Sequence, residues 1–261
     1  MKFASTKTEK YYSEKITTQG AMLFSLIDPD KLALEAGARV AKQSYEGGAD
    51  AILVGGSIGV QGSILDDTVK MIKENAPGLP VVLYPGSPGG LTPYADAVYF
   101  MQMLNSRDVY WLSTAQIQAA PVVARMKLEA IPTTYLVIEP GRAVGWIGNA
   151  NLVPRDRPDL AAACALAARY TGSHVLITDA GSGAPSPVPD AIGLIRAISK
   201  ACDSELFYFY GGGVRNPEDA GSVVNAGAHG VQIGNAFEEK AAFNKIKEIS
   251  AAIRKEGKKR V

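Results

Sequence analysis

FYFYGGGVRNPEDAG, residues Phe207–Gly221, carries four aromatic residues into three consecutive glycines and then into a helical pattern. A chain gives up three side chains in a row where backbone N–H groups must come close to another molecule, or where φ must turn positive. An anion held against the loop calls on both properties. The order of events is apolar strand, glycine-bearing turn, helix, and that is the repeating unit of a parallel α/β fold.

The same unit recurs along the chain. Apolar runs at Ala21–Ile27, Ala51–Gly55, Val81–Tyr84, Ala97–Leu104, Thr133–Ile138, His174–Thr178, Leu206–Tyr210 and Val231–Gly234 are predicted strands. They are nearly continuous rather than alternating, as strands buried on both faces of a parallel sheet are. Amphipathic patterns predict helices over Lys31–Glu46, Ile64–Asn75, Ser113–Leu128, Pro158–Tyr170, Pro189–Ala201, Pro217–Ala226 and Ala236–Lys255. Eight strands with intervening helices over about 250 residues fit one (β/α)8 TIM-like barrel. A doubly wound open sheet is the alternative, and eight strand signals in succession favour closure. One unit departs from the pattern. PGSPGGLTPYAD (Pro85–Asp96) fits no helix, so the third strand is expected to run into a loop or extended segment instead. No linker or composition shift divides the chain. Residues 1–261 are expected to form a single barrel domain, with about 1–18 as an N-terminal extension or first helix.

With 261 residues, 47% hydrophobic and 20% charged content and a net charge of +1, the chain has the make-up of a soluble enzyme and offers no electrostatic case for nucleic acid. It has no apolar run of 18 residues, so no spanning helix is expected. The N-terminus, with Lys2, Lys7, Glu9 and Lys10, lacks the apolar core of a signal peptide, and a cytoplasmic protein is expected. Cys164 and Cys202 sit in apolar, helical contexts suited to core packing rather than to a disulfide. The basic end IRKEGKKR (Ile253–Arg260) reads as a solvated helix terminus, or else as a peripheral contact for anionic lipid heads.

Active groups in a barrel come from the C-terminal ends of its strands. Those ends read LIDPDK (Leu26–Lys31), VGGSIG (Val54–Gly59), YPGSPGG (Tyr84–Gly90), IEPGR (Ile138–Arg142), TDAGSGAPSPV (Thr178–Val188), YGGGVRNPED (Tyr210–Asp219) and IGNAFEE (Ile233–Glu239). The glycine loops after strands seven and eight are where many barrels hold a phosphate. Gly211, Gly212 and Gly213 offer backbone N–H groups, and the Gly234–Asn235 step is read as opening the last helix, whose N-terminus carries free donors. Tight turns that need only positive φ explain the same glycines. Asp179 can accept from the hydroxyls of a polyol or take a proton from an attacking one, and it can equally stabilise its own loop. Asp28 suits Mg²⁺, which needs only one or two carboxylates; otherwise it is a turn residue or helix cap. Asp30 is read as the cap of the following helix, and Asp66 and Asp67 as a solvated first turn. His174 and His229 precede strands, at the end of the barrel away from chemistry. Tyr84, Tyr94, Tyr99, Phe100, Tyr135 and Trp146 either line an apolar groove or fill the core.

Taken in order, LIDPDK, ILVGGS, VVLYPGSPGGLTPYADAVYFMQMLNS, TDAGSGAP, YGGGVRNPEDA and GVQIGN resemble the geranylgeranylglyceryl phosphate synthases over nearly the whole chain. The resemblance implies a modified barrel with one helix replaced by an extended segment. It implies transfer of a geranylgeranyl group from geranylgeranyl diphosphate to the C3 hydroxyl of sn-glycerol 1-phosphate with Mg²⁺, a step in ether membrane lipid synthesis. It implies a homo-oligomer, a dimer or larger. Asp28 and Ser57 match the family's metal positions. The glycerol phosphate site matches Ile177, Thr178, Asp179, Ala180, Gly181, Ser182 and Gly183, then Gly211 and Gly212, then Gly234 and Asn235. A Tyr-Leu-Glu usual in the family falls on Ile177, Thr178 and Asp179, so the acid is kept one methylene shorter and the phenol is replaced by hydrocarbon. Two other readings stand beside this one: a phosphate-binding barrel isomerase of sugar-phosphate type with Asp28 and Asp179 as acid and base, and a non-catalytic prenyl- or phosphate-binding protein.

Overall fold

The computed structural model describes residues 6–56 and 60–261. After α1 (Lys7–Gln19) the chain runs β1 (Met22–Ile27), α2 (Leu34–Gly47), β2 (Ala51–Val54), α3 (Ser63–Asn75), β3 (Val81–Leu83) and β4 (Ala97–Met103). There follow α4 (Ala115–Met126), β5 (Glu129–Val137), α5 (Arg142–Ile147), α6 (Pro158–Tyr170), β6 (Val175–Asp179), α7 (Ile192–Cys202), β7 (Phe207–Gly211), α8 (Pro217–Asn225), β8 (Gly230–Ile233) and α9 (Phe243–Gly257). All eight strands pair in parallel and in sequence order, and β8 returns to β1 through Met22↔Gly230 and Leu23↔Val231. The sheet is a closed barrel, not an open one. No helix lies between β3 and β4, as the Pro- and Gly-rich stretch predicts.

Two apolar cores follow from the closure. Leu23, Ile52, Val81, Leu136, Leu176, Tyr208 and Val231 face outward against the helices. Phe24, Leu53, Val82, Tyr99, Ile131, Ile177, Phe207 and Phe209 face inward and fill the barrel. Helix α1 seals the lower mouth. Its Tyr12 is fully buried, edge-on to Phe24, Phe207 and Phe209, with its hydroxyl 3.1 Å from that of Tyr99. Thr6 and Glu9 form a capping box that starts α1, and the Glu9 carboxylate also bonds His174 Nδ1. His174 and His229 therefore serve the closed end, where Nδ1 of His229 accepts from the Tyr208 N–H.

Several boundaries differ from expectation for physical reasons. Helix α2 begins at Leu34 with Ala33 before it and no side-chain cap, so Asp30 does not cap it. Strand β5 starts at Glu129 and runs through Pro132, whose carbonyl still accepts from His174 N–H. One wide π-type turn, Tyr110–Thr114, precedes α4. The predicted last helix is broken: a short 3₁₀ turn, Asn235–Phe237, buries Phe237 before α9 begins at Phe243. The basic end is largely spent on the protein. Arg254 bonds both carboxylate oxygens of Asp50 at 2.7 Å, Arg260 donates to the Ala228 carbonyl and Lys259 pairs with Glu256. Cys164 and Cys202 are free thiols, and among the described residues no helix is long and apolar enough to cross a membrane.

Burial pulls the His229 imidazole down from 6.5 to about 4, with Arg260 adding to the effect. The unfolded chain therefore binds more protons than the native one between those values, and stability should fall as pH drops through that window. The loss should approach about 3 kcal/mol. Urea unfolding at pH 7 and at pH 4.5 checks this, and His229→Gln should flatten that part of the profile; an unchanged slope would remove His229 as its source.

Candidate active site

The upper ends of the strands open into a cavity of about 530 Å³ with two unlike ends. At the polar end, Asp28 from β1, Asp179 from β6, Gly211–Gly213 after β7 and Gly234–Asn235 after β8 line one hollow. At the apolar end, Val98, Phe100 and Met101 of β4, Trp111 of the π-type turn, Ala119 and Val123 of α4, and Val144 and Ile147 of α5 form a trough. Pro85–Pro88 and Leu91, from the segment that replaces a helix, help to line the cavity.

The glycines divide by cause. Gly212 and Gly213 have φ of +92° and +82°, so the turn alone requires them. Gly211 and Gly234 do not have positive φ, and a Cβ at either would meet protein atoms no closer than 3.4 Å and 3.5 Å. Their missing side chains leave room in the cavity rather than relieve the backbone. Among the described residues, the N–H groups of Gly212, Gly213, Gly234 and Asn235 donate to no loop or cap carbonyl. The Ser182 hydroxyl donates to Asn235 Oδ1 at 3.1 Å and ties the two loops together. Because Asn235 opens only the short 3₁₀ turn, and not α9, the donors here are local amides rather than the end of a long helix dipole.

Asp179 sits at the floor of this end. The Tyr135 hydroxyl donates to its Oδ2 at 2.7 Å and the Gly181 N–H to its Oδ1 at 2.6 Å. Burial raises the Asp179 carboxyl; these two bonds oppose the rise and the charge of Asp28 adds to it. Burial and then the Asp179 charge hold the Tyr135 phenol well above its ordinary range, so it stays a donor. Four acceptor positions on a carboxylate minus two occupied leaves two for a ligand.

Asp28 faces the same cavity. Its Oδ2 lies 2.5 Å from Lys31 Nζ. Burial pulls the Lys31 ammonium down, but the bond to Asp28 and the charges of Asp28, Asp30 and Glu238 outweigh it and lift it above its usual value. A Cβ on Gly55 would come 2.7 Å from Asp28 Oδ1, so glycine there is what lets the carboxylate stand where it does. Among the described residues no three His, Cys, Asp or Glu side chains gather as a metal site. A Mg²⁺ ion asks for less, one or two carboxylates with the remaining positions taken by water and substrate phosphate, and Asp28 fits that donor set. Ser57 lies outside the described residues.

Of the other residues named from sequence, Ser182 and Gly183 line the cavity, whereas Ala180 and Gly181 do not. Ile177 lies in the apolar barrel interior below Asp179, and Thr178 points away from it, bonded to the Tyr208 hydroxyl. Tyr84, Tyr99, Phe100 and Tyr135 line the cavity, while Tyr94 and Trp146 are exposed. Lys31, Arg215 and Gln232 also line it and were not singled out. Gln232 had a visible signal, as the one polar residue in an otherwise apolar strand.

A (β/α)8 barrel with unpaired backbone amides, a buried carboxylate and an apolar trough in one cavity at the C-terminal ends of its strands has the architecture of a TIM-barrel enzyme. The chain belongs to the PcrB family, whose model matches residues 15–253. It is 42% identical to the geranylgeranylglyceryl phosphate synthase of Pyrococcus horikoshii, covering 95% of each chain, and 44% identical to that of Thermococcus kodakarensis, covering 93% of this chain and 94% of the relative. The crystal structure of (S)-3-O-geranylgeranylglyceryl phosphate synthase from Thermoplasma acidophilum in complex with sn-glycerol-1-phosphate superimposes with a TM-score of 0.89 at 34% identity, covering 97% of this chain and 100% of that one.

The Tyr135 hydrogen bond favours the charged form of Asp179. In Tyr135→Phe the Asp179 carboxyl should titrate higher than in the unaltered protein, as read by ¹³C NMR of labelled aspartate. A pKa that stays or falls would show that this bond does not control the carboxylate.

Proposed function

We propose that the protein transfers a geranylgeranyl group from geranylgeranyl diphosphate to the C3 hydroxyl of sn-glycerol 1-phosphate. The observation that carries this reading is the single cavity whose amide-lined, acidic end runs directly into a long apolar trough. A sugar-phosphate isomerase would have no use for the trough, and the named relatives favour the prenyltransferase.

The chain's own groups divide the work. The N–H groups of Gly212, Gly213, Gly234 and Asn235 hold the acceptor phosphate. Phosphate binding at that point sets the acceptor hydroxyls beside Asp179, and such positioning lowers a barrier by up to about 7–11 kcal/mol in favourable cases. Asp179 orients the attacking hydroxyl. As the C3 oxygen forms its bond to the allylic carbon, the bond from that carbon to the diphosphate breaks, the electron pair leaves with the diphosphate, and the hydroxyl proton goes to Asp179. The raised Asp179 pKa makes it a better proton acceptor than an ordinary aspartate. Asp28 would hold Mg²⁺, which supplies charge neutralisation for the departing diphosphate. Lys31, bonded to Asp28 Oδ2 and lining the same cavity, would add a second positive charge for the diphosphate. The trough walls, Val98, Phe100, Trp111, Ala119 and Val123 among them, take the prenyl tail at about 0.8 kcal/mol per buried CH₂. Trp146, 85% exposed, and Ile117, 71% exposed, leave apolar surface on the segments flanking the trough, in keeping with a homo-oligomer.

Purified protein given both substrates and Mg²⁺ should yield the prenyl ether of glycerol phosphate in the organic phase, identified by mass spectrometry. No such product with donors of several lengths would end this reading. Asp28→Ala should lower turnover by more than about 100-fold, and a Mg²⁺-dependent rate retained in that variant would take Asp28 out of its role. Ala119→Phe should fill the trough: the 20-carbon donor should lose rate while 10-carbon geranyl diphosphate keeps it, and equal loss for both would place the tail elsewhere.

A further inference from the structure

Gln232 is a polar cavity residue that the reaction above leaves unused. It is 5% exposed, it lines the cavity, and its Nε2 is buried with no hydrogen-bond partner. A buried amide N–H left unpaired beside the cavity needs an account. Strand pairing supplies one. Asp179 on β6 is in register with Gly211 on β7, and Gly211 with Gln232 on β8. The three form one row across the barrel wall, and the middle member has no side chain. A Cβ on Gly211 would stand 3.4 Å from Gln232 Oε1 and 3.7 Å from Asp179 Oδ2. The carboxylate and the amide therefore flank one small open place, two strand spacings or about 9–10 Å between their backbones. The inward row below it, Ile177, Phe209 and Gly230, is apolar. The Asp179–Gly211–Gln232 row is the first polar layer above the core.

We propose that Gln232 is an acceptor-specificity residue: with Asp179 it holds the central C2 hydroxyl of the phosphoglycerol acceptor over Gly211. The inference rests on the proposed function and deepens it. An ionised carboxylate only accepts, so it takes the hydroxyl proton and leaves the hydroxyl oxygen free to accept in turn. The Gln232 amide stands on the opposite side with Oε1 toward Gly211, and a half-turn about its Cγ–Cδ bond brings the unpaired N–H there as the matching donor. Asp179 has two free acceptor positions, enough for adjacent hydroxyls. The C3 hydroxyl must keep its oxygen free to attack, so the amide serves its neighbour. With the phosphate fixed in the cradle and the C3 hydroxyl aimed at the donor, the C2 hydroxyl is the third point, and three fixed points distinguish mirror-image acceptors. Ile177, where the resemblance expects a phenol, offers this hydroxyl nothing, and the amide of Gln232 supplies a polar group from two strands away.

The test compares the unaltered protein with Gln232→Met, of similar length without an amide, and Gln232→Glu, which keeps the shape but removes the donor. Initial rates are measured with sn-glycerol 1-phosphate and with its enantiomer, sn-glycerol 3-phosphate. In Gln232→Met, kcat/KM for the preferred enantiomer should fall about tenfold, and the preference between enantiomers should shrink by a similar factor. KM for the prenyl diphosphate should stay within about twofold, and thermal stability should hold or rise because an unpaired amide is gone. Gln232→Glu should lose more, through repulsion from Asp179 and the phosphate. An unchanged enantiomer preference in a Gln232→Met protein that still turns over would overturn this role and leave the proposed function standing. If the unaltered protein forms no ether, the function fails, and calorimetric titration with each enantiomer decides the role of Gln232: equal affinities for Gln232→Met and the unaltered protein refute it.

Discussion

The barrel closes where β8 meets β1, and that seam has space for no side chain at its lower edge. Gly230 pairs with Met22, and a Cβ there would lie 2.5 Å from the Phe24 ring and 2.8 Å from the Phe209 ring. Those rings pack with Phe207 around Tyr12 of α1, so the seam, the aromatic floor and the helix that seals it form one packed unit. Interiors are close-packed, and a methyl group inserted there would have to displace backbone or rings. With the lower mouth filled, the cavity described lies at the upper one. The position of the active cavity follows from how the other end is stoppered.

The upper end then owes its two-sided character to local sequence. On the β6–β8 side the loops are rich in glycine, so backbone amides share the lining with Asp179, Ser182, Gln232 and Asn235. On the β3–β5 side the missing helix after β3 and the wide turn before α4 open the wall, and Phe100, Met101, Trp111 and Ala119 line it. One cavity thus offers hydrogen-bond donors at one end and hydrocarbon at the other. Asp28 and Asp179 lie at the polar end, and the charge of Asp28 contributes to the raised Asp179 pKa. Any cation brought to Asp28 would therefore also oppose the rise in the Asp179 pKa.

Some of this was legible in the chain and some was not. The strands could be read because each is buried on both faces, which makes it a continuous apolar run. The absent helix could be read because Pro and Gly from Pro85 to Asp96 permit no helical pattern. The break in the last helix could not, because Ala236 to Lys255 carries helix-forming residues nearly throughout and burial of Phe237 in the 3₁₀ turn is a tertiary contact. Asp30 looked like a cap because it precedes an amphipathic pattern, yet the helix starts later and Asp30 faces the cavity with Asp28. The loop glycines were found, but the sequence could not separate Gly212 and Gly213, which positive φ requires, from Gly211 and Gly234, where a Cβ would fit against the protein and its absence leaves room in the cavity.

Alone, the sequence determined the parallel barrel, the glycine loops gathered at the strand ends, and the two carboxylates at that same face. These rest on periodicity and backbone chemistry, which act between near neighbours. Tertiary structure decided which side chains meet: Tyr135 on Asp179, 44 residues apart, Glu9 on His174, 165 apart, and Gln232 in one row with Asp179. Those meetings depend on strand register and on closure of the ring, and register is a property of the packed sheet that no single segment carries.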